Sequence, residues 1–71
     1  MKRYAIVVED AGSNWAAYVP DLPGCVATGD TVDEVARLIR EAIELHLEGM
    51  AEDGVPAPEP SSRVEYIEVN A

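Results

Sequence analysis

The residues that could do chemistry in this sequence are few and lie far apart. His46 is the only histidine and Cys25 is the only cysteine. A metal centre or a nucleophilic triad needs several such groups to converge, and neither residue has a companion of its own kind. His46 falls among apolar residues at helical spacing, which is typical of a histidine at the margin of a core. Asp21 and Asp30 lie near Cys25 and disfavour its thiolate, so we interpret Cys25 as a buried, unreactive thiol.

Carboxylates near strand ends are the other candidates for chemistry. Glu9, Asp10, Asp21 and Asp30 all fall at the ends of predicted strands. A two-metal nuclease site instead draws its carboxylates from strand centres and a helix, and the strand centres here are apolar. No serine lies in a G-x-S-x-G turn, and no glycine run matches a phosphate-binding loop. We therefore assign no catalytic, cofactor-binding or metal-binding residue and expect a non-enzymatic protein that needs no cofactor.

Length and charge narrow the possible functions. Seventy-one residues make one small domain, and a chain of this size buries only about 60% of its unfolded surface. Fourteen acidic residues against five basic ones give a net charge of −9. Such a charge disfavours contact with nucleic-acid phosphates and suits a protein that covers a basic partner, although acidity also serves solubility.

Cysteine content and hydropathy indicate the cellular compartment in which the protein is expected. A single cysteine suits a reducing environment, since it can form no disulfide within the chain. The apolar run from Tyr4 to Val8 is too short for the core of a secretory signal, and no segment approaches the ~20 apolar residues of a membrane helix. We expect a cytoplasmic protein without a membrane segment.

The stretch from Asp21 to Val35 organises the predicted fold. Pro23 fixes φ near the value that a turn needs, and Gly24 follows where a positive φ is easiest. Thr31 is a typical helix N-cap, and Glu34 lies three residues further on, where its side chain can reach back to the Thr31 N–H. A turn and a helix start are therefore specified locally.

The predicted fold is α+β in the order β-β-β-α-β. Three strands form an antiparallel meander, and one long helix packs on one face of the sheet. The final strand follows the helix and is expected beside strand one. The predicted elements are the strands Arg3 to Glu9, Trp15 to Val19 and Cys25 to Thr28, the helix Thr31 to about Asp53, and the strand Arg63 to Val69.

The sheet carries more apolar surface than one helix can cover. Strands one, two and four have apolar side chains on both faces, and two leucines lie beside the main apolar stripe of the helix. Apolar surface of this extent is usually buried against another chain. We predict a homo-oligomer, a dimer or a tetramer, whose interface consists of Tyr4, Ile6, Trp15, Tyr18, Leu38 and Leu45.

Several motifs together resemble the HicB-like antitoxin family. The resemblance covers nearly the whole chain, and its most specific part is the joint presence of Asp-Leu-Pro-Gly-Cys (Asp21 to Cys25) and Gly-Asp-Thr (Gly29 to Thr31). It implies a partial ribonuclease-H-like fold without nuclease activity. The matching segments are Tyr4 to Glu9, Trp15 to Cys25, Thr28 to Thr31 with Glu34, Leu47 to Met50, and Asp53 to Pro56 with Pro58.

The resemblance also implies a partner. Family members pair with a HicA-type toxin, a small basic mRNA interferase, and neutralise it by covering its RNA-cleaving surface. The alternatives are a stand-alone relative with no toxin and a degenerate ribonuclease-H-like domain that binds a small ligand or a divalent metal. For a basic partner we expect contacts from the turn residues Asp21, Leu22, Pro23, Gly24 and Cys25 and from the helix residues Glu41, Glu44 and Glu48.

Domain content is the point at which the chain departs from many family members. Many members carry a second, C-terminal DNA-binding module of helix-turn-helix or ribbon-helix-helix type. We predict that residues 1–71 form a single HicB-like domain with no C-terminal DNA-binding domain, and we do not expect direct DNA binding.

Overall fold

Three strands and one helix make up the computed structural model, which describes all 71 residues. The elements are β1 (Val7–Asp10), β2 (Trp15–Tyr18), β3 (Val26–Gly29) and α1 (Val32–Glu52). The strands form one antiparallel sheet in the order β1-β2-β3, and α1 packs on one face of it. The predicted α+β meander with a single covering helix is confirmed. This helix is not apolar enough to cross a bilayer.

The turn between β2 and β3 follows from its two central residues. Gly24 has φ +83° and follows Pro23, and the Cys25 N–H donates to the Leu22 carbonyl at 3.1 Å. These are the features of a type II turn, in which proline precedes a residue with positive φ. The turn brings Leu22 and Cys25 under the helix, and both side chains are buried.

The start of α1 is capped as the sequence indicates, with one difference. The Thr31 hydroxyl accepts a hydrogen bond from the Glu34 N–H at 3.0 Å. The Glu34 carboxylate, however, accepts from the N–H of Asp30 at 3.1 Å and not from that of Thr31. The reciprocal bond therefore lies one residue earlier than predicted, and it still satisfies a backbone donor just before the helix.

The end of α1 is closed by a Schellman motif. Gly54 has φ +71°, and its N–H donates to the Ala51 carbonyl at 3.1 Å. The Val55 N–H donates to the Met50 carbonyl at 2.8 Å. These two bonds satisfy carbonyls that the helix would otherwise leave unpaired, and Pro56 follows immediately.

Strand register divides the sheet into a covered face and an open face. Val8, Ala17 and Ala27 are neighbours across the strands and lie on the covered face beneath α1. The core there contains Leu22, Val35 and Ile39 as its largest fully buried side chains. On the open face, the register aligns one apolar row across the sheet, formed by Val7, Tyr18 and Val26.

The first strand is shorter than predicted. It begins at Val7, opposite Tyr18, and not at Arg3. Continuing the same register would place Ala5 opposite Pro20, and proline has no N–H to donate. Pairing between β1 and β2 therefore ends where β2 enters the turn.

The predicted final strand does not form. Residues 55–71 contain no helix or strand, which corrects the expectation that Arg63 to Val69 pair beside strand one. None of the backbone–backbone hydrogen bonds outside the regular elements involves residues 63–69, and the side chains there are exposed. An alternating apolar pattern is not sufficient for a strand, because the backbone N–H and C=O groups of a strand also need a neighbouring strand as partner. The chain measures 47 × 26 × 19 Å, with a radius of gyration of 13.7 Å.

Candidate functional site

Asp21 joins the turn between β2 and β3 to the connector that follows the helix. Its carboxylate accepts hydrogen bonds from the backbone N–H groups of Ser61 and Ser62 at 3.0 and 3.1 Å. It also accepts from the hydroxyls of the same two serines at 3.1 and 2.8 Å. Hydrogen bonds to the charged form, above all those from Ser62, lower the pKa of Asp21 to about 2. This carboxylate is therefore committed to contacts within the chain.

The other turn residues that we predicted as partner contacts divide into two groups. Leu22 is 1% exposed and Cys25 4% exposed, so the prediction that these two contact a partner is corrected: both belong to the core. Burial also raises the pKa of the Cys25 thiol, in keeping with an unreactive thiol. Of the five turn residues predicted to contact a partner, Pro23 and Gly24 are the two that are exposed.

The helix carries an acidic face along its outer side. We use this name for Glu41, Glu44, Glu48 and Glu52, which fall within about one quarter of the helical circumference at 100° per residue and are all exposed. Between Glu41 and Asp53 the chain has no lysine or arginine. Two arginines lie close to the acidic face. The Arg37 guanidinium is 3.6 Å from the Glu41 carboxylate, and Arg40 lies one helical turn before Glu44. The other three glutamates of the acidic face form no ion pair.

The position of this face on the helix is unfavourable for the isolated chain. The last turn of α1 contains no basic residue, and Glu48 and Glu52 lie near the negative end of the helix macrodipole. Each such charge costs a few tenths to ~1 kcal/mol of helix stability. Glu48 and Glu52 therefore do not stabilise the helix that carries them.

The residues predicted to form an oligomer interface do not lie on one surface. Tyr4, Ile6 and Trp15 are partly buried and pack against the core, on the covered face of the sheet. Tyr18 lies on the open face, and Leu45 is 70% exposed on the helix. Leu38, which lies two helical turns before Leu45, is partly buried.

An apolar groove lies between residues 1–6 and α1. The helix packs mainly against β3 and β2 and only lightly against β1, which leaves its other flank uncovered. The groove has a volume of about 600 Å³, and seven of its ten lining residues are hydrophobic. Its three charged lining residues are Lys2, Arg40 and Glu44. The Lys2 ammonium forms an ion pair with Glu59. Sequence patterning did not predict this groove, because it arises from the lateral position of the helix over the sheet.

The carboxylates near strand ends remain apart. No three His, Cys, Asp or Glu side chains come together in an arrangement that could hold a metal ion. Asp10 accepts a hydrogen bond from the N–H of Gly12 at 2.9 Å, within its own turn, and Asp21 is bonded to the two serines. His46 is partly buried on the helix. The hydrogen bonds of Asp10 and Asp21 are therefore structural, since each joins a carboxylate to groups of the same chain.

Comparison with known proteins is consistent across sequence and structure. The family model described as HicB-like antitoxin of bacterial toxin–antitoxin systems matches residues 4–71. A protein encoded in the rep–hol intergenic region of Haemophilus phage HP1 is 39% identical over 64 residues, which cover 90% of this chain and 48% of the phage protein. Antitoxin HicB 2 of Photorhabdus laumondii is 31% identical over 70 residues, covering 97% of this chain and 50% of the antitoxin.

Not all relatives are longer than this chain. A UPF0150 protein of Thermoplasma acidophilum is 32% identical over 71 residues and aligns along the full length of both chains. With the phage protein and the Photorhabdus antitoxin, in contrast, the chain spans about half of the relative's length.

A solved structure shares the fold. A chain in the structure of a HicA3 and HicB3 toxin–antitoxin complex superposes with a TM-score of 0.71 at 28% sequence identity. The superposition covers 84% of this chain and 70% of the other. The family model spans nearly all of the sequence, and the structural match agrees with it. The chain belongs to the HicB-like antitoxin family of bacterial toxin–antitoxin systems.

Proposed function

We propose that this protein neutralises a HicA-type toxin by masking the toxin's RNA-binding surface with the acidic face of α1. An enzyme that cleaves RNA has to present positive charge to phosphates, and an acidic surface competes for that charge. The protein then acts by occupying its partner, and no bond is made or broken. Glu44 and Glu48 are the central contacts of this proposal, since both are exposed and free of ion pairs.

The observation that carries the proposal is the group of exposed glutamates without ion pairs on α1, namely Glu44, Glu48 and Glu52. Of these, Glu48 and Glu52 lie near the negative end of the macrodipole, where they do not stabilise the free helix. A basic partner would gain from all three charges, because complementary potentials accelerate encounter and fix orientation. The family membership and the likeness to a chain in a HicA–HicB complex support the same class of partner.

The test is inhibition of RNA cleavage by a purified HicA-type toxin, chosen as the one encoded beside this protein. We expect the wild-type chain to abolish cleavage at equimolar concentration. The double variant Glu44→Lys/Glu48→Lys should bind at least about tenfold more weakly, a loss of about 1.4 kcal/mol. Affinity of the wild-type chain should also fall as salt is raised, since exposed charges are screened.

A matched control separates local charge from net charge. Glu9→Lys/Asp30→Lys changes the net charge by the same amount but at exposed positions away from the acidic face. This variant should inhibit nearly as well as wild type. Equal loss of inhibition in both double variants would show that total charge, and not the acidic face, determines binding. Full inhibition by the Glu44→Lys/Glu48→Lys variant would place the toxin contact elsewhere.

A further inference from the structure

We propose that Leu45 is the apolar centre of the toxin contact. Its side chain enters an apolar pocket of the basic partner, and the acidic face binds cations at the rim of that pocket. This inference rests on the proposed function and deepens it, because it names the kind of partner surface that fits. Three features of α1 lead to it: the exposure of Leu45, the chemistry of its neighbours, and the effect of their charge on a second copy.

Leu45 is a large apolar side chain that the fold leaves outside its core. It is 70% exposed, whereas Val35 and Ile39 of the same helix are 0% and 1% exposed. Ile39 and Leu45 are six residues apart, which places them about 120° apart around the helix. Since the helix buries Val35 and Ile39 against the sheet, Leu45 lies towards solvent and adds little to the packing of the core.

The neighbours of Leu45 on the helix surface are acidic or small. Residues three and four positions away are the ones that flank a helical side chain, and for Leu45 none of these four carries a positive charge. One carboxylate lies about 6 Å before Leu45 along the helix axis and another about 5 Å after it. The four flanking residues are Glu41, Ala42, Glu48 and Gly49.

The position of Leu45 between carboxylates gives its exposure a meaning. A single exposed leucine is common on protein surfaces and by itself indicates no partner. Protein interfaces, however, typically have an apolar centre and a polar rim that is open to solvent, and burial of a leucine side chain is favourable. Leu45 with Glu41 and Glu48 on either side has this arrangement on one helix surface.

Charge determines which partner fits this surface. In a contact between two copies related by a two-fold axis, the same surface meets itself. The glutamates beside Leu45 in one copy would then approach those in the other, and like charges brought together at an interface are unfavourable. A partner whose apolar pocket is bordered by lysine or arginine carries the opposite charge, as expected of a protein that binds RNA.

The two arginines near the acidic face do not remove this preference. Arg37 is already paired with Glu41. Arg40 lies about 140° around the helix from Leu45 and lines the groove on the other side of the acidic face. The surface around Leu45 therefore keeps the unpaired carboxylates of Glu48 and Glu52.

The experiment measures binding of the purified toxin encoded beside this protein to variants of Leu45, by isothermal titration calorimetry. Leu45→Ala should weaken binding at least about tenfold. Leu45→Met keeps an apolar side chain of similar size and should retain most of the affinity. The matched control Val32→Ala shortens another exposed side chain of α1, on the opposite side of the helix from Glu41, and should bind as wild type does. Wild-type affinity of Leu45→Ala would overturn the proposal.

Salt separates the leucine contact from the carboxylate contacts. Screening weakens exposed charge pairs but does not remove the gain from apolar burial. The factor by which Leu45→Ala weakens binding should therefore be the same at low and at high sodium chloride, whereas the factor for Glu44→Lys/Glu48→Lys should shrink. A deficit of Leu45→Ala that disappears at high salt would contradict an apolar contact.

Two measurements on the chain alone test the other roles that Leu45 could have. Thermal unfolding of Leu45→Ala should match wild type, since the side chain lies outside the core and alanine favours the helix. Light scattering coupled to size exclusion should give the same mass for both proteins. A clear loss of stability would assign Leu45 to the fold, and a smaller assembly would assign it to a contact between copies. Either result would contradict the proposal.

Failure of this inference can be told from failure of the proposed function. If Glu44→Lys/Glu48→Lys weakens binding and Leu45→Ala does not, the acidic face binds the toxin without an apolar centre, and only this inference fails. If neither variant changes binding, or if the wild-type chain does not bind the toxin, the proposed function fails and this inference fails with it.

Discussion

Asp21 binds Ser62 in a bidentate manner, 41 residues further along the chain. One carboxylate oxygen accepts from the Ser62 N–H at 3.1 Å, and the other accepts from its hydroxyl at 2.8 Å. This pair ties the turn of the meander to the connector after the helix. We expect Asp21→Asn to remove the charge that these donors stabilise, and therefore to speed amide hydrogen exchange at Ser61 and Ser62. Unchanged exchange at both amides would show that the anchor does not depend on the charge of Asp21.

The same carboxylate predicts a pH dependence of stability. Its pKa is lowered from 3.8 to about 2 in the folded chain, so the folded state holds the ionised form more strongly than the unfolded state does. The contribution is therefore complete above the unfolded pKa and is lost as the pH falls from about 4 towards 2. Chemical denaturation at a series of pH values should show this loss in wild type. In Asp21→Asn this part of the acid dependence should be missing.

Gly29 and Gly49 should respond to alanine in opposite directions. A Cβ at Gly29 would lie 3.0 Å from the backbone nitrogen of Val35 and 3.1 Å from the Glu34 carboxylate. We expect Gly29→Ala to destabilise the fold by about 1–3 kcal/mol, because the end of β3 and the first turn of α1 would be forced apart.

Gly49 provides the matched comparison. A Cβ there meets nothing within 4 Å, and the residue lies inside α1. Gly49→Ala should stabilise the protein by about 0.5–1 kcal/mol, since alanine favours the helix. Thermal unfolding of both variants is the measurement, and a similar effect of the two substitutions would contradict the packing argument.

Thr31 tests the helix start. Its hydroxyl satisfies the N–H of Glu34 at 3.0 Å, and alanine cannot replace this acceptor. We expect Thr31→Ala to lower the free energy of unfolding by about 0.5–2 kcal/mol. Thr31→Ser retains the hydroxyl and should recover most of the loss. Equal destabilisation by the two substitutions would mean that the methyl group, and not the hydroxyl, matters.

Stability and toxin binding should diverge on the acidic face. Glu48→Lys/Glu52→Lys places cations near the C-terminus of α1, where they interact favourably with the macrodipole. Each change should stabilise the free chain by a few tenths to ~1 kcal/mol, while inhibition of the toxin should weaken. Thermal unfolding and the cleavage assay on the same variant check both signs. A variant that loses stability and inhibition together would instead indicate damage to the helix.

Local chemistry accounts for what the sequence predicted correctly. Pro23 with Gly24 specifies a turn and Thr31 specifies a helix start, each through residues close in the chain. The buried helix residues Val35 and Ile39 lie four residues apart, which is the spacing of one helix face. These elements depend on interactions within a few residues, so the pattern and the structure agree.

Long-range relationships account for what could not be predicted. Leu22 was expected to contact a partner because it lies in a turn, but the turn folds its side chain under α1. The burial of Cys25 was predicted, and it rules out the partner contact that was also expected of this residue. The contact between Asp21 and Ser62 spans 41 residues, and no local pattern indicates it. The strand predicted at residues 63–69 has the right composition, but the backbone of this segment forms no hydrogen bonds with either free edge of the sheet.

The dimensions of the chain carry a consequence for solution scattering. A compact domain of 71 residues has a radius of gyration of about 11 Å, whereas this chain has one of 13.7 Å. The longest dimension, 47 Å, is more than twice the shortest, 19 Å. The scattering profile of the monomer should therefore be that of an elongated particle and should give a larger radius of gyration than a compact domain of this length.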